Sequence, residues 1–254
     1  MMPHFIIVGA QKAGSTAAIR NLALNANISV FRGVTEFGQK ELEFFNQHWD
    51  LGKLWYQSHF EPTGKVTGEK TAELLHRTAC HPRMFETNPN FKVIVLLRNP
   101  VERAYSQWRM AALWKKDECE SFEAVVARSI TDLDDEHKRI AFYNCCVSDR
   151  SSWREGYLLK GMYAEQLRSL LKYFPRRHLY IGISERIRKH PVEEYGKIFD
   201  FLGVARCHGD FKEHFISPLD SPLPQRVLDR LQTVYRTPNQ DLFAILDEDI
   251  SEWE

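Results

Sequence analysis

Gly9-Ala10-Gln11-Lys12-Ala13-Gly14-Ser15-Thr16 joins a short apolar run to a stretch of helical periodicity. Small residues let such a backbone curl so that successive N–H groups point inward, and a helix starting there turns its positive end to the same spot. A nest of this kind suits a phosphate or a sulfate group. Gly9 and Gly14 keep the spacing of the triphosphate pattern GxxxxGK[ST], but Ser15 stands where that pattern has its lysine. The loop's lysine, Lys12, comes earlier, so the loop fits magnesium-dependent ATP chemistry poorly. Taken alone it is also readable as an ordinary tight turn between a strand and a helix. A second cluster, Arg98-Asn99-Pro100-Val101-Glu102-Arg103-Ala104-Tyr105-Ser106, follows another apolar run. Arg98 at the tip of a strand and Ser106 about two helical turns on could converge on a second phosphate. Alternatively, Arg98 pairs with a structural carboxylate and Ser106 lies on the surface.

The elements that would position these residues are legible in outline. His4–Gly9, Phe91–Leu97 and His178–Ile183 are predicted as buried parallel strands. Ala18, Ile19, Leu22 and Ala26 fall at helical spacing after the first loop, and Pro100 suits the first turn of a helix after the second. Further helices are expected at Leu51–Phe60, Ser121–Ser129, Trp153–Tyr173 and Val192–Leu202. Strands alternating with helices imply an α/β fold with a mainly parallel sheet, which binds ligands beyond the C-terminal ends of its strands. No repeat or low-complexity linker interrupts the 254 residues, so a single domain over 1–254 is expected. Residues 115–150 read as an insertion whose segment Asp132–Arg139 forms a solvated loop or helix face. Residues 205–224, with Pro218, Pro222 and Pro224, read as irregular.

Lys and Arg total 34 against 34 Asp and Glu, a formal net charge of zero. That balance argues against a protein held on nucleic acid by overall charge. No run approaches the roughly 18 apolar residues of a membrane span, and no signal-peptide pattern is present. Neither nucleic acid nor a membrane is therefore expected as a partner, and no feature assigns an oligomeric state. Five cysteines, with Cys145 and Cys146 adjacent, suggest free thiols in the cytoplasm, although a chain trimmed of a leader would read the same way. His76, Cys80 and His81, and likewise Cys207, His208 and His214, lack a standard zinc spacing, and no metal is expected. The aromatic cluster Phe44, Phe45, Trp49, Trp55, Tyr56 and Phe60 reads first as core, and the acidic tail Asp247–Glu254 as a solvated end.

Together the two loops resemble the sulfotransferases that use 3′-phosphoadenosine 5′-phosphosulfate (PAPS). Gln11-Lys12-Ala13-Gly14-Ser15-Thr16 is similar to their 5′-phosphosulfate loop, and Arg98 through Ser106 to their 3′-phosphate motif. The pattern is most similar to the heparan sulfate N- and O-sulfotransferase branch and its bacterial relatives. Lys40-Glu41-Leu42-Glu43-Phe44-Phe45 resembles that branch's acidic residue ahead of a Phe-Phe pair. Gly68-Glu69-Lys70-Thr71 matches its Glu-Lys-Thr segment, and Gly161-Met162-Tyr163 with Tyr173-Phe174-Pro175 its continuation. The likeness spans most of residues 3–203.

The resemblance implies a three-layer α/β/α fold with a P-loop-like phosphosulfate-binding loop. It implies that Gln11, Lys12, Ala13, Gly14, Ser15 and Thr16 bind the 5′ end of PAPS, and that Arg98 and Ser106 hold its 3′-phosphate. It further implies that Glu41 is the general base, with Lys12 and Lys70 beside the transferring sulfuryl group. Sulfuryl transfer is an in-line displacement analogous to phosphoryl transfer, so positioning and charge stabilisation dominate. The family's basic loop near the C-terminal side has no counterpart in Ile216–Pro224, so closure on the adenosine side is expected either to differ or to come from Arg206, Lys212 or Arg226. With no basic excess for a polyanion, a small intracellular acceptor is expected, sulfated on oxygen or nitrogen. A glycan acceptor is the alternative, ahead of a non-catalytic module binding PAPS or adenosine 3′,5′-bisphosphate, and of a P-loop kinase.

Overall fold

The structure, a computed structural model, describes residues 1–31, 41–112, 120–147, 155–212 and 223–253, and the backbone of 34–35 and 38–39. In chain order the elements are β1 Phe5–Gly9, α1 Ser15–Leu22, β2 Ile28–Val30, β3 Val34–Thr35, β4 Gly38–Gln39, α2 Gly52–Ser58, β5 Val66–Lys70, α3 His81–Thr87, β6 Lys92–Leu97 and α4 Pro100–Met110. Then come α5 Phe122–Asp134, α6 Glu136–Asn144, α7 Tyr163–Leu171, β7 Leu179–Ile183, α8 Ser184–Lys189, α9 Pro191–Leu202 and α10 Gln225–Leu246. Five strands form one parallel sheet in the order β2-β5-β1-β6-β7, and β3 pairs with β4 as a small antiparallel hairpin.

Every residue of the central strand β1 is buried. Successive side chains of a strand face opposite sides, so both faces of the sheet are covered, as in a three-layer α/β/α arrangement. The apolar runs predicted as strands are β1, β6 and β7. β5 was not legible, because Val66-Thr67-Gly68-Glu69-Lys70 has a single aliphatic side chain. It nevertheless pairs with β1 in register, Phe5 opposite Gly68 and Ile7 opposite Lys70. Gly68 is needed there, since a Cβ would lie 2.4 Å from the Phe5 ring.

Two other expectations are corrected, for 153–173 and for the tail. The segment 153–173 is not one helix: its described part holds a 3-10 turn at Leu159–Gly161 and then α7. The described part of 115–150 carries the helix expected at Ser121–Ser129 as α5, and Glu136–Asn144 forms α6. Phe122 and Val126 of α5 pack with Val101 and Ala104 of α4 and with Leu231 and Tyr235 of α10. Asp132–Arg139 spans the break between the two helices, where the Asp135 side chain caps α6 by accepting the Lys138 N–H. The tail is docked rather than free. Ile250 and Trp253 are buried, and Glu248 and Glu252 both pair with Arg186. Of the irregular segment, 205–212 carries no regular element and 213–222 lies outside the described residues.

Candidate active site

The tip of β1, the tips of β5 and β6 and the start of α1 meet at one end of the sheet. Gly9 leaves β1 with φ 135°, and a Cβ there would sit 2.5 Å from the Ala72 carbonyl oxygen, so glycine is required on both counts. The loop continues through Lys12 at φ 70° and Gly14 at φ 88°, the residue capping α1 without help from a side chain. Ser184 braces the loop by donating its hydroxyl to the Ala13 carbonyl at 2.6 Å. Ser15 is buried at the helix start. At Gly14 a Cβ would find no atom within 4 Å, so the loop borders open space at this residue.

Lys12 directs its ammonium to within 3.4 Å of Met110 Sδ at the end of α4. Burial and the neighbouring cations Arg98, Arg103 and Arg109 push its pKa down to about 8. Gln11 is buried, and its Oε1 accepts from the Lys160 ammonium at 3.0 Å. Lys160 is itself fully enclosed, which lowers its pKa to about 7 despite the opposing pull of Glu73. Lys70, at the end of β5, donates to Thr16 Oγ1 at 3.1 Å and pairs with Glu41 at 2.7 Å. The Glu41 side chain keeps 22% exposure while that of Lys70 keeps 5%, so the carboxylate lies toward solvent and the ammonium beneath it. The Ala72 N–H fixes the other carboxylate oxygen at 3.2 Å.

Arg98 does two things at once. Its Nε and Nη2 donate to Glu102 Oε2 at 3.2 and 2.8 Å, and its Nη1 donates to the Lys12 carbonyl at 3.3 Å. The two motifs are thus in direct contact. Asn99 starts α4 by accepting the N–H groups of Val101 and Glu102. Its own N–H goes to Glu185 Oε1 at 2.9 Å, and Trp253 donates to Glu185 Oε2 at 3.1 Å. Ser106 is half-buried on α4. Below the site Arg103 is fully buried, donating to Gln107 and to the Tyr157 carbonyl.

The structure therefore brings together Gln11, Lys12, Thr16, Glu41, Lys70 and Arg98, with Ala13, Gly14 and Ser15 shaping the loop; Ser106 follows on the helix behind Arg98. Lys40 lies outside the described residues. Sequence reasoning missed Lys160, whose only signal was a lysine inside the apolar run Tyr157-Leu158-Leu159-Lys160-Gly161-Met162. The aromatic cluster is core, with Phe44 stacked on Tyr56 at 4.5 Å. Among the described residues no group of three or more His, Cys, Asp and Glu is placed to hold a metal ion, and no helix is long and apolar enough to cross a membrane.

Three cations and a helix N-terminus at one end of the sheet suit an extended anion with several negative groups, such as a nucleotide carrying a phosphosulfate and a further phosphate. Residues 2–215 match the sulfotransferase domain family. The chain is 27% identical to heparan sulfate glucosamine 3-O-sulfotransferase 6 of Mus musculus, an alignment covering 99% of this chain and 74% of that protein. It is 28% identical to heparan sulfate glucosamine 3-O-sulfotransferase 3B1 of Homo sapiens, covering 84% of this chain and 49% of that protein. Its fold superposes on a sulfotransferase from Alicyclobacillus acidocaldarius with a TM-score of 0.77 and 23% identity, covering 100% of this chain and 99% of the other. The chain belongs to the sulfotransferase family, whose members take the sulfuryl group from PAPS.

Proposed function

We propose that this sulfotransferase moves the sulfuryl group to a hydroxyl of a sugar acceptor, with Glu41 as general base. The observation that carries the reading is the Glu41–Lys70–Thr16 chain, which seats a partly exposed carboxylate beside the phosphosulfate loop. The likeness to glucosamine 3-O-sulfotransferases over most of the chain supports a sugar hydroxyl as the attacking group. Bound at the loop, PAPS supplies the sulfuryl group and a phosphate-stabilised leaving oxygen. Gly14, Ser15 and Thr16 would hold its 5′-phosphate with their N–H groups and hydroxyls, and Gln11 and Ala13 complete the loop. Arg98, with Ser106, would hold the 3′-phosphate. Lys12 and Lys70 place positive charge where negative charge develops, the kind of contact that dominates such transfers. Glu41 accepts the proton the acceptor hydroxyl loses.

A second reading, a small acceptor rather than a polysaccharide, is favoured by the exact match of 34 basic and 34 acidic residues, because a polyanionic chain calls for a basic cleft. One screen separates the two. PAPS is offered with glucosamine-containing oligosaccharides and with small alcohols and amines, and products are read by mass spectrometry. Sulfated oligosaccharide supports the sugar reading, and sulfation confined to small compounds replaces it. Glu41→Gln should lose turnover while still binding adenosine 3′,5′-bisphosphate in calorimetry; a fully active variant removes Glu41 from the base role. Failure of the wild-type protein to bind either nucleotide would overturn the proposal.

A further inference from the structure

Glu69 sits at the end of β5, one residue before Lys70, and nothing in the transfer described so far uses it. It is fully buried. Tyr56 donates its hydroxyl to Glu69 Oε1 at 2.9 Å, and Thr71 donates to Oε2 at 3.0 Å. The Thr71 oxygen in turn accepts the backbone N–H of Glu43 at 3.4 Å. Glu43 lies two residues beyond Glu41 and holds a left-handed backbone, φ 53°. The Tyr56 ring stacks on Phe44, the next residue, 14° from parallel. Ala72, following Thr71, gives its N–H to Glu41. Glu69 thus lies under two supports of the segment 41–44, one reaching the Glu43 backbone and one the Phe44 ring.

We propose that Glu69 is a positioning residue for sulfuryl transfer, fixing through Thr71 and Tyr56 the segment that seats the Glu41 carboxylate against Lys70. The proposal rests on the reading of Glu41 as base. Ionised, as it is above a pH of about 7, Glu69 only accepts, so both hydroxyls can point their hydrogens at it and keep their own oxygens free to accept. A carboxamide has one accepting and one donating arm. One hydroxyl would then have to turn its hydrogen away, and at Thr71 the amide hydrogen would compete with the Glu43 N–H. Enclosing a carboxylate opposes folding unless it is satisfied. Burial, with the charge of Glu41 adding to it, raises the Glu69 pKa to about 7, against the hydroxyls of Tyr56 and Thr71 and the ammonium of Lys70. A costly group held in this way fits a role in precision rather than in stability.

The test uses the full chain and five variants, Glu69→Gln, Thr71→Val, Thr71→Ser, Glu41→Gln and the double variant Glu69→Gln/Thr71→Val. Amide hydrogen exchange by NMR at Glu43 and Ala72 reports the two bonds directly, and exchange at Ile7 and Val95 in the central strands serves as the folding control. Glu69→Gln and Thr71→Val should each exchange at Glu43 and Ala72 about tenfold faster, with the controls unchanged. In the PAPS assay, with the acceptor found by the screen, each should lower kcat about tenfold and leave the Kd for adenosine 3′,5′-bisphosphate within about twofold. Thr71→Ser restores both readouts, and Glu69→Gln combined with Thr71→Val is no worse than either alone. Unchanged exchange at both amides, or an equal loss of nucleotide affinity, overturns the proposal; if Glu69→Gln does not fold, Thr71→Val decides by the same readouts. Wild-type turnover in Glu41→Gln defeats the base reading separately, since the exchange data do not depend on it.

Discussion

Replacing Lys12 by methionine should make the nucleotide-free protein more stable while abolishing transfer. The lysine's ammonium is charged near neutrality, yet its pKa falls from 10.5 to about 8 on folding because it is enclosed among Arg98, Arg103 and Arg109. A group whose folded pKa is depressed in this way binds fewer protons when folded, so stability rises with pH between about 8 and 10.5. At pH 7 the enclosed charge opposes folding by about 3 kcal/mol, and at pH 9.5, where it is mostly neutral, by about 1.5 kcal/mol. Methionine is about as long, shares the left-handed backbone strain at φ 70°, and would meet Met110 through an apolar contact. The strain and the other titrating groups therefore cancel in the comparison. Urea unfolding of the two proteins at both pH values measures the difference. With a slope of about 3 kcal/mol/M, the variant's midpoint should lie about 1 M higher at pH 7 and about 0.5 M higher at pH 9.5. An equal or lower midpoint at pH 7, or a gain that does not shrink at pH 9.5, would refute the idea that Lys12 is held charged against its surroundings. A residue that destabilises its own fold and is needed for transfer is a familiar trade of stability against activity.

Other substitutions test the remaining parts. Arg98→Ala should weaken adenosine 3′,5′-bisphosphate about 10- to 100-fold in calorimetry, the loss expected for one charged hydrogen-bonding group, and affect a nucleotide without the 3′-phosphate much less. Gly9→Ala would press a methyl group against the Ala72 carbonyl at 2.5 Å, and thermal unfolding should show a loss of about 3 kcal/mol or more. Trp253→Ala removes a buried ring and the donor to Glu185. Chemical unfolding should show a loss of about 3 kcal/mol, and nucleotide titration a weakened site, because Glu185 also holds the Asn99 N–H beside Arg98.

What the sequence displayed depended on distance along the chain. β1, β6 and β7 announced themselves as local apolar runs, and the two phosphate motifs stood directly after the first two. β5 escaped notice because its burial is tertiary: Glu69 is satisfied inside by the hydroxyl of Tyr56, 13 positions earlier, together with that of Thr71. Lys160 escaped for the same reason, its partner Gln11 being 149 positions away. The helix at Ser121–Ser129 showed in its periodicity, but the packing of its apolar face against α4 and α10 did not, and Asp132–Arg139 stayed open between loop and helix face because polar residues dominate it. Arg98 has the ion pair that one local reading gave it, with Glu102, and its reach to the Lys12 carbonyl, 86 positions away, no local reading could show.

The link from Trp253 through Glu185 to Asn99 bears on the order in which the protein is made. A ribosome makes the loop of Gln11–Thr16 and the turn carrying Arg98 before it makes Glu185 and Trp253, which brace that turn. A partly synthesised chain is therefore expected to hold the groups for the nucleotide without the geometry to retain it. Donor binding would then distinguish chains that include Trp253 from those made only as far as Arg98, and PAPS would stabilise only the former.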